Sequence, residues 1–207
     1  MTDAPAFERT IEAGGVAVFP ADTVYGLACA PDDAAAVERL YALKGRAPDK
    51  PAAVMFLSLD RAMTALPELR PRTRAALEAL LPGSVTLLLP NPRHRYPLAC
   101  GPDPDTLGLR VPALPALATV AVPVLQSSAN HAGQPDVRRL DDVPEDIRKA
   151  ADLVLDGGEL PGTPSTVIDL RHYEDTGEWH VLRAGAMPPG AVATVLSPPP
   201  ANGPEEP

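Results

Sequence analysis

Short apolar runs rich in branched side chains recur along this chain, each closed by proline, glycine or a polar cluster. "GVAVFP" (15–20), "AAVMFLS" (52–58), "SVTLLLP" (84–90), "LGLRVP" (107–112), "VPVLQSS" (122–128) and "STVIDLR" (165–171) each read as a buried strand. Segments with helical spacing separate them. "DDAAAVERLYALKG" (32–45) opens on aspartate caps, sets Val37, Leu40, Tyr41 and Lys44 one or two turns apart, and stops at Gly45. "RTRAALEALLPG" (72–83) is an amphipathic helix ended by Pro82, and a short helix is expected near Leu114 to Thr119. "VPEDIRKAADLVLDGG" supplies another, followed by a strand near Leu153 to Leu155. Strands interleaved with helices restrict the chain to an α/β sheet covered by helices. The last pair of strands, 165–171 and 178–185, is joined by a turn expected at Glu174 to Gly177, so the sheet should be mixed. No internal repeat or composition break interrupts residues 1–196, and one domain is expected there. "SPPPANGPEEP" (197–207) has almost nothing to bury and is expected to be a disordered tail.

The formal net charge of -9 argues against a protein whose main task is gripping nucleic acid, because that depends on Lys and Arg neutralising phosphates. It leaves room for a small anion in a local basic pocket. "KGRAPDKP" (44–51) gathers Lys44, Arg46 and Lys50 within seven positions of this acidic chain. Such a cluster is either a helix C-terminus whose charge suits the dipole, or a set of ligands for something negative. Cys29 and Cys100 form neither a CxxC pair nor a disulfide framework, as expected in a reducing compartment. The N-terminus lacks the basic start and apolar stretch of a signal peptide. No apolar run approaches the roughly 18 residues a membrane span needs. A cytoplasmic protein is expected.

Polar, small or basic residues follow several of the strands directly: "ADTVYGLACAP" (21–31), "SSANHAGQP" (127–135), Ser165 with Thr166, and Arg183. Arg110 sits inside a strand-like run between Leu109 and Val111, where a bare guanidinium is costly, so it requires a partner: a ligand or a structural aspartate. Thr23 with Tyr25 fits a turn stabilised by Asp22 and Gly26 as well as a ligand contact, and "SSAN" fits a plain turn. Ligands of open α/β sheets bind in a crevice at strand ends. A crevice lined by Lys44, Arg46, Arg110 and Arg183 would take a phosphate or carboxylate. Neither GxxxxGK[ST] nor GxGxxG is present, nor is GxSxG. His94, His131, His172 and His180 lack metal-ligand spacing, and no metal site is predicted from the protein's side chains.

In order along the chain, "FPADTVYGLACAP", "LKGRAPDKP", "LPGSVTLLL", "LGLRVP", "SSANHAGQP", "PSTVIDL" and "LRAGA" resemble the threonylcarbamoyl-AMP synthase family, the YrdC-like proteins. The resemblance runs from about Val16 to Gly185. Its specificity comes from seven blocks in sequence. It implies a YrdC/RibB-like domain: a twisted mixed sheet with flanking helices around a basic concave pocket. It also implies synthesis of L-threonylcarbamoyladenylate and pyrophosphate from ATP, L-threonine and bicarbonate, with Mg2+ as cofactor. The product would feed threonylcarbamoylation of adenosine 37 in tRNA through a downstream transferase complex, with any tRNA contact of this chain weak or indirect. Carried over by motif, Lys44 and Arg46 are the catalytic cations. Lys50, Ser128, Asn130 and Arg183 join them around the nucleotide, and Thr23, Arg110 and Ser165 hold threonine. Little chain follows Arg183, so the resemblance is to the short, single-domain form.

Departures from the pattern fall at the amino-acid end and around the nucleotide rim. Ala21 replaces a hydroxyl, Met55 stands where many members carry histidine, and Ala132 and Asp136 occupy hydroxyl positions. Two other readings therefore accompany the synthase: a paralogue activating another carbamate or carbamoyl donor, and a non-catalytic RNA-binding module.

Overall fold

The structure is a computed structural model that describes residues 3–196; the tail expected at 197–207 lies outside the described residues. Nine strands among them form one mixed sheet. They are β1 (Ala17–Ala21), β2 (Val24–Cys29), β3 (Ala53–Met55), β4 (Val85–Pro90), β5 (Thr106–Arg110), β6 (Val124–Ser128), β7 (Leu153–Val154), β8 (Thr166–Asp169) and β9 (His180–Arg183). Their spatial order is β7-β1-β2-β6-β3-β5-β4-β8-β9. The β1–β7, β3–β5 and β4–β8 pairs are parallel and the other neighbours antiparallel. The helices are α1 (Ala4–Glu12), α2 (Ala34–Lys44), α3 (Leu59–Ala65), α4 (Pro71–Leu80), α5 (Pro97–Cys100), α6 (Glu145–Ala150), α7 (Tyr173–Thr176) and α8 (Pro189–Leu196).

Period-two alternation gives the sheet two unlike faces. Val18, Leu27, Val54, Leu87, Leu109, Leu125 and Ile168 pack with residues of α2, α4, α6 and α8 in the larger core. Ala17, Phe19, Ala21, Ala28, Met55 and Val124 belong to a smaller core with Phe7 and Ile11 of α1 and with Leu117 and Val120. That second cover stops part-way across. On the uncovered remainder stand Gln126 and Ser128 of β6, Ala53 of β3, Arg110 of β5, Thr86 of β4 and Val167 of β8. The position of the site follows from this half-covered face.

Local chemistry fixes the elements that serve it. The Asp33 carboxylate caps α2 by accepting the N–H groups of Ala35 and Ala36 at 3.0 and 3.1 Å. Gly45 ends it in the left-handed region at φ 60°, which glycine adopts without a Cβ penalty. Lys44, in the last turn, reaches across to Ser128 and Asn130, and Arg46, just past the cap, turns into the loop that follows.

Several elements differ from the sequence reading. β2 lies in a stretch that reads as a turn or loop, yet all six of its residues are buried. A strand covered on both sides carries no polar alternation to reveal it. The run 52–58 forms only three residues of strand, because Ser58 caps α3 with its hydroxyl accepting the Arg61 N–H at 3.4 Å. The expected turn at Glu174 to Gly177 is the single helical turn α7, closed by Gly177 at φ 75°. α1, α3, α5 and α8 have no counterpart in the reading from sequence.

Candidate active site

The uncovered face holds a cavity of about 210 Å³. Its floor is a row across seven adjacent strands, in the order β2, β6, β3, β5, β4, β8 and β9, contributing Val24, Ser128, Ala53, Arg110, Thr86, Val167 and Arg183 in turn. Register supports the row: Gly26 faces Ser128, Ala53 faces Gln126, Thr86 faces Val167, and Val167 faces Arg183. The crevice expected at strand ends is therefore in part the open face of the sheet itself.

Six of the nine residues singled out from sequence line this cavity: Thr23, Arg46, Arg110, Ser128, Ser165 and Arg183. Three guanidinium groups from distant parts of the chain thus share one wall. Arg183 donates to the Ser165 carbonyl at 2.7 Å and reaches its hydroxyl at 3.3 Å, so β9 is tied to the entrance of β8. The Ser165 hydroxyl lies 2.8 Å from that of Thr86. Arg46 donates to the Pro51 carbonyl at 2.5 Å and lies over the Tyr41 ring, 5.7 Å from its centroid. Its Nε is buried without a partner among the described residues.

Arg110 finds a structural aspartate, and still faces the cavity. One of its nitrogens donates to the Asp22 carboxylate at 2.7 Å, the other to the Gln126 side-chain oxygen at 3.0 Å. Only 5% of the Arg110 side chain and 6% of the Asp22 side chain are exposed, so this is a desolvated pair. Burial works against both charges, and each is the principal counterweight to that burial for the other. Asp22 sits at φ 51° in the tight β1–β2 connection, a left-handed geometry that aspartate tolerates better than most residues. Arg110 Nε is also buried and unpartnered among the described residues.

Lys44 and Asn130 stand behind the wall. The Lys44 ammonium donates to the Ser128 carbonyl, to the Asn130 carbonyl at 2.7 Å and to the Asn130 side-chain oxygen at 3.2 Å. Asn130 in turn donates to the carbonyls of His131 and Gln134. Burial pushes Lys44 down to about 8; Arg46 adds to that, and Asp136 opposes it. Lys44 therefore clamps the end of α2 to the "SSAN" segment. Lys50 is exposed and does not line the cavity.

Sequence reasoning passed over Thr86, Gln126 and Ser127, all on the wall. The signal was present: Thr86 and Gln126 are polar side chains at positions where an apolar strand turns its second face. Tyr25 points the other way, into the larger core, where its hydroxyl meets Asp156 and the Gly158 carbonyl at 2.9 Å each and accepts the Gly157 N–H at 3.0 Å. It anchors the loop that leads to Ser165. Ala21 and Met55 are both fully buried in the smaller core, with Met55 facing Arg110 across the β3–β5 register.

Comparison with known proteins agrees with this fold. The family described as Sua5_yciO_yrdC, "Telomere recombination", matches residues 9–185. The threonylcarbamoyl-AMP synthase of Nitrosococcus oceani is 36% identical over 169 residues, covering 79% of this chain and 90% of that protein. The threonylcarbamoyl-AMP synthase of Pyrococcus abyssi is 30% identical over 191 residues, covering 90% of this chain but only 55% of the longer relative. The crystal structure of P. abyssi Sua5 complexed with L-threonine superposes with a TM-score of 0.82 at 30% identity, covering 93% of this chain and 56% of that one. With its mixed sheet, its half-covered face and a match running from residue 9 to residue 185, the chain belongs to the Sua5/YciO/YrdC family.

Proposed function

We propose that this protein is an L-threonylcarbamoyladenylate synthase, a nucleotidyltransferase that makes threonylcarbamoyl-AMP and pyrophosphate from L-threonine, bicarbonate and ATP. The observation that carries the reading is the convergence of Arg46, Arg110 and Arg183 with the hydroxyls of Thr23, Ser128 and Ser165 on one cavity. The relatives' activity and a relative's structure with L-threonine support it.

The chemistry needs this wall. Bicarbonate supplies CO2, which bonds to the amine of threonine to give a carbamate, the amine proton and the bicarbonate hydroxide leaving together as water. A carbamate oxygen then attacks the α-phosphorus of ATP, the bond from that phosphorus to the bridging β-phosphate oxygen breaks, and pyrophosphate leaves. Both reactants are anions and repel each other until cations stand between them. Fixed guanidinium groups neutralise that charge at no cost in reorganisation, and enclosure in one cavity supplies orientation. Arg110, already held by Asp22 and Gln126, is the group for the amino-acid carboxylate, with Thr23 and Ser165 beside it. Arg46, Ser128 and Arg183 face the nucleotide. Lys44 and Asn130 act through the "SSAN" segment they brace, and Lys50 contributes at longer range from its exposed loop.

Mg2+ fits as a companion of the triphosphate. No group of three or more His, Cys, Asp or Glu among the described residues is placed to hold a metal alone. When bound, it would supply further neutralisation of phosphate charge. The product would pass to a tRNA threonylcarbamoyl transferase and end on adenosine 37. No helix among the described residues is long and apolar enough to cross a membrane, and we place the reaction in the cytoplasm.

One observation favours a variant of this reading. Ala21 and Met55 line the apolar core next to Arg110, leaving the amino-acid end poorer in polar partners than the family pattern. Incubating the protein with ATP, bicarbonate, Mg2+ and each amino acid in turn, with mass spectrometry of the adenylate, tests both readings. Adenylate that requires threonine and bicarbonate is the expected result. Adenylate with another amino acid selects the paralogue, and salt-sensitive tRNA binding without turnover selects the RNA-binding module.

A further inference from the structure

Asp136 is the one carboxylate on the cavity wall among the described residues. It follows the "SSAN" segment, at a half-buried position, and no hydrogen bond or ion pair within the described residues engages it. Its charge nevertheless reaches the buried cations, favouring the protonated forms of Lys44 and Arg110. The other nearby carboxylate, Asp22, is already committed to Arg110 at 2.7 Å.

A free carboxylate is out of place in a pocket for a triphosphate, because two anions in a partly desolvated cavity repel each other. A cation between them reverses the sign. Mg2+ is held through one or two carboxylates plus substrate phosphates, not by an all-protein cage. The cavity offers that minimum: a single uncommitted carboxylate beside three guanidinium groups. We propose that Asp136 is the protein's ligand to a divalent cation that arrives with the nucleotide, sharing its coordination with phosphate oxygens, so that the cavity selects the metal complex over the free nucleotide. This rests on the nucleotide reading of the cavity.

The test is a binding cycle on the full chain without amino acid, so that no turnover intervenes. ATP affinity is measured calorimetrically with Mg2+ and with EDTA, for the unsubstituted protein and for Asp136→Asn and Asp136→Ser. Mn2+ uptake by each protein–ATP complex is followed by electron paramagnetic resonance. Losing the carboxylate should strengthen metal-free ATP binding and weaken metal-loaded binding by on the order of tenfold, the size seen when even an indirect supporter of a metal ligand is removed. Mn2+ uptake by the complex should weaken in parallel. Because Asp136 makes no hydrogen bond or ion pair within the described residues, both variants should unfold within a few degrees of the unsubstituted protein. Equal strengthening with and without metal, or undiminished Mn2+ uptake, overturns the proposal while leaving the nucleotide reading intact. No ATP binding under either condition overturns both.

Discussion

Lys44 illustrates how a side chain named from a motif can stand one step behind a cavity wall. Its ammonium is spent on Ser128 and Asn130, so Lys44→Ala should remove activity and stability together. The carbonyls left without donors make a loss on the order of 3 kcal/mol the expected result, readable by denaturant titration. Activity lost with stability unchanged would instead make it a direct phosphate ligand. Its lowered pKa also carries a sign. Below about pH 8 both folded and unfolded chains hold this proton; between 8 and the ordinary 10.5 only the unfolded chain does. Stability should therefore rise with pH across that window, and Lys44→Met should flatten the rise. Arg46 and Arg183 are the contrasting pair: on the wall, so Arg46→Ala or Arg183→Ala should cut adenylate formation roughly 100-fold, the scale of removing one charge-stabilising donor. Normal turnover in either would contradict the assignment. Sequence alone supplied these names, but not the difference between them, because whether a cation faces a cavity or a carbonyl depends on contacts more than eighty residues away.

Among the elements, α2 was fully legible. Its aspartate cap, its spacing and its terminal glycine are all local signals, and the structure uses each of them. Gly45→Ala should cost about 1 kcal/mol through the left-handed φ alone, since nothing lies within 4 Å of the added methyl. Gly45→Asn should cost less; equal losses would mean the strain lies elsewhere. β2 was illegible for the opposite reason: it is buried on both sides, so its neighbours define it and its own pattern does not. Gly185 was legible only as the end of a motif. A Cβ there would lie 2.6 Å from the Ser165 carbonyl carbon and the Thr166 nitrogen, so Gly185→Ala should push β9 off β8 and lower both Tm and ATP affinity. A normal Tm with weakened ATP binding would confine the effect to Arg183.

Across the whole molecule, the alternation of strands and helices announced an α/β sheet, yet not its order. Pairing β6 between β2 and β3, or β5 between β3 and β4, depends on which faces find cover, and sequence spacing does not carry that. The floor of the cavity inherits this non-locality. Each of seven neighbouring strands supplies a side chain, so no contiguous piece of the chain owns a usable half of the pocket. Recognition should thereby be an all-or-none property: a nascent chain, or one clipped between β2 and β9, is expected to have no partial affinity with which to capture substrates. Nucleotide should bind only the finished sheet and act as a staple across its width, slowing amide exchange in the β8–β9 edge as much as in the centre.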